Sequence, residues 1–157
     1  MYKKLIFVAI VLLTIISCNK KTFDPGTTGA SKIANEWWVN LYLNGEAQYG
    51  SFGKILTYNV SANNDSIWVD DLGNIWDFKC KAKFNADSLT FNTTNAVNEK
   101  YDITVSIMDA KVMPKKAKST TGVVTDSIYF KVIFSDDATN TYEIKGTGRT
   151  MWSPDDH

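Results

Sequence analysis

Apolar and polar residues alternate with a period of two along most of the chain beyond residue 35. The clearest case is residues 76–84, where aromatic residues, Cys and Ala alternate with Asp and Lys. This spacing predicts a strand with one apolar and one solvated face. Residues 66–70 are rich in β-branched and aromatic types, and the Asp-Leu-Gly-Asn sequence at 71–74 favours a tight turn. The two runs therefore predict a β-hairpin, which must join a larger sheet to be stable.

Further segments show the same alternation and predict more strands. The residues expected to share an apolar face are Trp37, Val39, Leu41 and Leu43; Leu56, Tyr58 and Val60; Tyr101, Ile103, Val105 and Ile107; Ile128, Phe130, Val132 and Phe134; and Tyr142 and Ile144, in a strand ending near Arg149. A short strand is expected at residues 88–92, and residues 114–120 are expected to form a solvated loop. The alternation does not decide whether Trp68 or its neighbours Ile67 and Val69 face inward.

About eight strands with short links and one apolar face fit an all-β fold, an eight-stranded antiparallel up-and-down barrel. A two-sheet β-sandwich is the alternative. No convincing helical stripe is present, and residues 31–35 are the best short helical candidate. An eight-stranded barrel is either filled by side chains or holds one small ligand.

The first 17 residues have the pattern of a secretory signal. Lys3 and Lys4 precede an apolar run at residues 5–16, which would span about 18 Å as a helix, short of the ~30 Å hydrocarbon core. The Ile15-Ile16-Ser17-Cys18 sequence resembles the bacterial lipobox. This resemblance implies that Cys18 is acylated and becomes the mature N-terminus, and that two or more acyl chains anchor the protein stably.

The predicted organisation is a signal peptide at 1–17, an acylated Cys and flexible tether at 18–32, a β-barrel domain at 33–152 and a tail at 153–157. The tether is polar with Pro and Gly and has no periodicity. Asn19, rather than an Asp, follows Cys18, and no acidic run follows it. We therefore expect the outer membrane, with the periplasmic face favoured over the cell surface.

The charge balance and the two cysteines bear on the possible partners and on disulfide formation. The chain has 17 basic and 17 acidic residues; loss of Lys3 and Lys4 with the signal leaves 15 against 17, a net charge of −2. Such a balance does not favour a nucleic-acid partner. Cys80 lies on the apolar face of a predicted strand and is expected to pack as a small hydrophobe. No disulfide is expected, because Cys18 is needed for acylation.

Residues for catalysis are scarce. The single His, His157, is the last residue, so Ser–His, Cys–His and zinc sites are not expected, and there is no Gly-x-Ser-x-Gly sequence. We expect no cofactor or metal, and the sequence favours a non-enzymatic role without deciding it. Carboxylates would serve glycan or ester hydrolysis if a pair lay about 5–10 Å apart. The candidates are Asp70, Asp71, Asp77 and Glu36; Asp70, Asp71 and Asn74 would alternatively bind calcium.

An Asp-Ser-aliphatic sequence precedes three predicted strands, at Ser66, Ser88 and Ser127. Asp and Ser favour the turn before a strand because they hydrogen-bond to nearby backbone. The same short sequence resembles the O-glycosylation site of exported proteins in gut anaerobes. Both interpretations remain open from the sequence.

Three stretches, ANEWWVNLYLNG, residues 65–79 and YEIKGTGRTMW, together resemble a family of Gram-negative lipoproteins described as lipid-binding putative hydrolases, with a lipocalin-like (calycin) barrel. The resemblance covers roughly residues 33–152 and implies the barrel more strongly than an activity. A looser likeness to lipocalins implies that Trp37 or Trp38 stacks on Arg149. Lipocalins have Gly two residues before that Trp, where this chain has Asn35 or Glu36.

The candidate ligand-binding residues are aromatics from different strands, together with one arginine. They form either a packed core or an apolar pocket. The set is Trp37, Tyr58, Trp68, Trp76, Phe78, Tyr101, Phe130 and Arg149. The expected function is an envelope lipoprotein that binds a lipid or another small apolar ligand. The alternatives are a carboxylate-dependent hydrolase and an accessory protein that contacts another, unknown envelope protein.

Overall fold

A computed structural model describes residues 26–62 and 64–157. The predicted signal peptide and Cys18 lie outside the described residues. The strands are β1 (Asn35–Leu43), β2 (Glu46–Ala47), β3 (Gly53–Asn59), β4 (Ser66–Asp70), β5 (Lys79–Asn85), β6 (Thr90–Val97), β7 (Thr104–Lys118), β8 (Val124–Phe134) and β9 (Tyr142–Gly148), with short 3-10 helices at Ser135–Asp137 and Ser153–Asp155. No helix in this part of the chain is long and apolar enough to span a bilayer.

The strands form a closed antiparallel barrel. From β3 to β9 each strand pairs with the next, and β9 pairs back onto β1, so that Trp37 lies opposite Gly148 and Leu41 opposite Ile144. The two-residue β2 only extends the hairpin that follows the Asn44-Gly45 turn, so the barrel itself has eight strands. The predicted eight-stranded barrel is confirmed, and the sandwich is wrong because a sandwich leaves its two sheets open at their edges.

Alternate residues of the strands point into one continuous core. Ile67 and Val69 are fully buried and Trp68 faces outward, which settles the orientation that the sequence left open. The predicted inward faces of β8 and β9 are confirmed. Along β8, Ile128, Phe130, Val132 and Phe134 are all buried.

The predicted face of β3 is wrong for the two residues within the strand, whereas Val60, just beyond it, is buried as predicted. Leu56 and Tyr58 point outward, whereas Ile55 and Thr57 point inward. Thr57 fits in the core because its hydroxyl accepts the indole N–H of Trp37 at 2.9 Å and donates to the Ile33 carbonyl. A buried polar group with all of its hydrogen bonds made is tolerated in a core. Hydrophobic alternation alone cannot identify such a position.

Three predicted boundaries also differ from the structure. The strand expected at residues 76–84 begins only at Lys79, and the strand expected at 88–92 is the longer β6. The expected loop at 114–120 is wrong, since β7 continues to Lys118. Pro114 lies where the β7–β8 register shifts between Met113 and Ala117, and a bulge is the place where a strand tolerates a residue without an N–H donor.

Candidate functional site

Three of the predicted ligand-binding residues belong to the packed interior. Trp37, Phe78 and Phe130 are at most 1% exposed. The ring of Phe130 lies 5.6 Å from that of Phe91, and Phe78 lies 5.4 Å from Phe134. These contacts are typical of aromatic packing in a filled core.

Trp76 and Tyr101 lie at the end of the barrel formed by the connections after β4, β6 and β8, which we call the far end. The indole of Trp76 stacks flat on Phe134 at 4.5 Å. The Tyr101 hydroxyl donates to the Asp136 carboxylate at 3.0 Å. Desolvation, followed by that hydrogen bond, raises the pKa of Tyr101 to about 12, so it stays a neutral donor. Together these side chains cover the far end of the core.

Tyr58 and Trp68 lie on the outer face of the barrel, away from the core. Lys79 and Lys81 place their ammonium groups 4.9 and 4.8 Å from the centre of the Trp68 ring. The Tyr58 hydroxyl donates to Asp70 at 3.0 Å. This surface is therefore an aromatic and cationic layer on β3, β4 and β5.

Arg149 has carboxylate partners instead of the tryptophan that the lipocalin likeness implies. Its guanidinium donates to Glu36 at 2.8 Å and to both oxygens of Asp156 at 2.7 Å. These contacts raise the pKa of Arg149, and the guanidinium is the main cause that lowers the pKa of Asp156. Trp38 instead has the Lys54 ammonium 5.8 Å from its ring and the His157 ring 5.6 Å away. The eight predicted residues thus do not form one site.

Of the carboxylates considered for catalysis or calcium binding, Asp70 and Asp71 hold the β4–β5 connection in place, whereas Asp77 is exposed there and Glu36 pairs with Arg149. The Asp71 side chain is fully buried and accepts the backbone N–H groups of Gly73, Ile75, Trp76 and Phe78 at 2.7–3.1 Å. Asp70 accepts the Leu72 N–H at 3.0 Å. Within the described residues, no group of three or more His, Cys, Asp or Glu side chains is arranged to hold a metal ion.

A groove of about 470 Å³ runs along the outer face of β7, β8 and β9. It was not predicted, because its lining comes mostly from outward positions of strands whose buried face accounts for their alternation. The sequence signal was Tyr129, which alternates with the inward Ile128 and Phe130; Met113 faces outward only because the β7–β8 register shifts between Met108 and Lys111. The groove is lined by Tyr42, Phe52, Lys111, Met113, Ala117, Ser127, Ile128, Tyr129, Lys145, Gly146 and Thr147.

Two lysines place positive charge in this groove. Lys145 pairs with Glu143 at 2.5 Å and lies 4.7 Å from the centre of the Tyr42 ring. Glu143 also accepts the Tyr129 hydroxyl at 3.0 Å, and Lys145 is the main cause that lowers the pKa of Glu143. Lys111 has no ion pair among the described residues. The groove thus combines apolar side chains such as Tyr42 and Met113 with one lysine, Lys111, that has no ion pair among the described residues.

The remaining candidates are the cysteines and the three serines considered for glycosylation. Cys80 is a free, buried thiol whose pKa is raised to about 12 by desolvation. Ser88 is exposed in the β5–β6 turn, whereas Ser66 and Ser127 are half-buried within strands. Cys18 lies outside the described residues.

The protein is an eight-stranded antiparallel barrel with a filled interior and an apolar groove on its outer face. Residues 22–153 match the family described as "Lipid-binding putative hydrolase", and the chain belongs to that family. The family and the barrel fold support a lipid-binding function.

Similarity to individual proteins is weak. A solved protein of unknown function from Bacteroides ovatus aligns with 15% identity and a TM-score of 0.46, over 74% of this chain and 42% of that protein's length. No curated protein matches the chain.

Proposed function

We propose that the protein is an envelope lipoprotein, anchored in the outer membrane through acylated Cys18 and facing the periplasm, which binds a lipid or another small apolar ligand. Support for the anchor comes from the sequence, where a short apolar run ends in Ile15-Ile16-Ser17-Cys18. Support for the ligand class comes from family membership and the barrel fold.

The outer groove is the ligand site that we propose. The interior positions Trp37, Phe78 and Phe130 are packed against other rings or hydrogen-bonded partners, so a ligand there would have to displace the core. The groove needs no such rearrangement. Its volume of about 470 Å³ lies in the range of roughly 300–1,000 Å³ that is usual for small-ligand sites.

One observation carries this proposal. Tyr42, Met113 and Tyr129 present apolar surface on the outside of strands whose inner face already fills the core. This surface contributes nothing to the core, and its coverage by an acyl chain would remove apolar area from water at roughly 25 cal/mol per Å².

A binding titration with a matched pair of variants tests the site. Ala117→Trp puts a large ring into the groove from a half-buried outward position, whereas Ala138→Trp adds the same ring at an exposed position beyond β8. With oleic acid as the probe, we expect saturable binding in the unsubstituted protein, binding about tenfold weaker for Ala117→Trp and unchanged binding for Ala138→Trp. The groove is the wrong site if both variants bind oleic acid alike, and the ligand class is wrong if no lipid probe saturates.

The anchor has a separate test. Mass spectrometry of the N-terminal peptide from protein expressed in a Gram-negative host is expected to show Cys18 carrying acyl chains. Cys18→Ala is expected to move the protein from the outer-membrane fraction to the soluble fraction. An unmodified Cys18 in membrane-free protein would contradict the proposed anchor while leaving the groove proposal untouched.

A further inference from the structure

One end of the barrel carries exposed apolar side chains on two segments. We call it the entry end, because β1 begins there; it also contains the β7–β8 connection and the residues that follow β9. Val123 and Val124 in the first segment are 45% and 56% exposed. Met151 and Trp152 in the second segment are 64% and 59% exposed. Large apolar side chains so exposed on neighbouring segments form a patch of the kind that marks an interaction surface.

Hydrogen bonds hold the two segments side by side. Asp155 accepts the Thr121 N–H at 2.8 Å and the Thr150 hydroxyl at 2.7 Å. The Thr125 hydroxyl donates to the Gly148 carbonyl at 2.9 Å. The β7–β8 hairpin and the C-terminal residues are thus one fixed surface rather than two independent loops.

The hairpin in this surface carries three lysines without an ion pair among the described residues, and the C-terminal segment adds Asp155 and Asp156 against Arg149. Residues 113–127 contain Lys115, Lys116 and Lys118 against one acidic residue, Asp126. All three lysines are exposed and have no ion pair among the described residues. Asp126 accepts the backbone N–H of Lys115 at 2.8 Å, and Asp156 is paired with Arg149. The lysines are therefore available to an external anion.

We propose that the entry end docks on an anionic lipid bilayer. Trp at a membrane surface lies at the headgroup level, with lysines contacting anionic headgroups around it. The described chain also enters β1 at this end, which under the proposed anchor is the end that the tether joins. Only this position of the tether rests on the proposed anchor, and the exposed patch does not depend on it. Docking would fix the orientation of the barrel and its groove on the membrane.

Cosedimentation with vesicles tests the docking surface without the anchor. All described strands and their closing pairs lie within residues 26–157, so a chain that begins at residue 19 retains the whole barrel. In 0.1 M salt we expect this chain to bind vesicles of equal phosphatidylglycerol and phosphatidylcholine. Each lysine near such a surface contributes about 1 kcal/mol, so Lys115→Gln, Lys116→Gln and Lys118→Gln together are expected to weaken binding about 100-fold.

The barrel offers a control with the same change in charge. Lys79 and Lys100 lie at the far end and Lys81 in the middle of β5, and replacement of all three by Gln is expected to change binding less than about threefold. Trp152→Phe is expected to remove the quenching of tryptophan emission by brominated lipid that Trp152 contributes. Absence of binding to the anionic vesicles, equal binding to pure phosphatidylcholine, or equal losses in the two triple variants would overturn the proposal. Because no acyl group and no groove ligand take part, these outcomes leave the proposed function to its own tests.

Discussion

At the scale of single residues, Asp71 organises the connection between β4 and β5. One of its carboxylate oxygens accepts the N–H groups of Gly73 and Phe78, and the other accepts those of Ile75 and Trp76. A buried donor without an acceptor costs about 1–3 kcal/mol. The carboxylate therefore fixes the connection that places Trp76 and Phe78 over the core.

Asp71→Asn is expected to lower the free energy of unfolding by about 3 kcal/mol. The substituted amide keeps one oxygen but turns an NH₂ group toward two backbone donors. Urea unfolding at pH 7 measures the loss. Asp77→Asn is the control in the same connection, since its side chain is exposed, and it is expected to cost less than about 0.5 kcal/mol. Equal effects of the two substitutions would contradict this role for Asp71.

Residues such as Asp71 and Thr57 show why part of the fold could not be predicted. Strands whose alternation is strong, such as β8, were predicted with the correct inward face. The inward Thr57 and the buried Asp71 are polar, and their burial depends on partners far along the chain or on backbone groups of a loop. Periodicity contains no information about such partners. The prediction from periodicity therefore gave β3 the wrong inward face and placed the start of β5 at residue 76 instead of Lys79.

At the scale of elements, the outer groove could not be predicted from the sequence for a similar reason. A strand in a closed barrel has two faces, and the sequence identifies the buried one. The lining of the groove arises only when the outward residues of β7, β8 and β9 become neighbours, which requires the strand register and the bulge in β7. The predicted aromatic set was therefore divided among the core, the far end and the outer surface.

The contact between the C-terminal residues and the β7–β8 hairpin is expected to depend on pH. Burial alone would raise the pKa of Asp155, but hydrogen bonds from Thr150 and the Thr121 N–H outweigh it and lower the pKa from 3.8 to about 2. The folded protein thus binds this proton more weakly than the unfolded chain. The stabilising contribution of Asp155 is therefore complete above about pH 3.8 and is lost as the pH falls toward 2.

Urea titrations from pH 5 down to pH 2 test this dependence. The unsubstituted protein is expected to be more stable than Asp155→Asn at pH 5, and the difference between them is expected to narrow below about pH 3.8. Asp102→Asn serves as the control, since this exposed residue lies in the β6–β7 connection. A difference between the unsubstituted protein and Asp155→Asn that stays constant to pH 2 would contradict the lowered pKa.

At the scale of the whole molecule, the barrel is closed by the pairing of β1 with β9, and Gly146 permits that pairing. Gly146 lies opposite Val39, and a Cβ atom on it would approach the Trp38 carbonyl oxygen to 2.0 Å. Backbone atoms of two paired strands cannot yield as a flexible side chain does. Any side chain at this position must separate the strands that close the barrel.

Gly146→Ala is therefore expected to lower the free energy of unfolding by at least about 3 kcal/mol, the upper end of what overpacking usually costs. Gly50→Ala is the matched control, because a Cβ there meets no atom within 4 Å and the residue has no positive φ. Amide hydrogen exchange adds a spatial test, since loss of protection is expected first along β1 and β9 and not in the β4–β5 hairpin. A stable Gly146→Ala protein with full protection in both strands would mean that the closing pair relaxes more easily than its geometry implies, and closure would then depend on the core rather than on the close contact between β1 and β9.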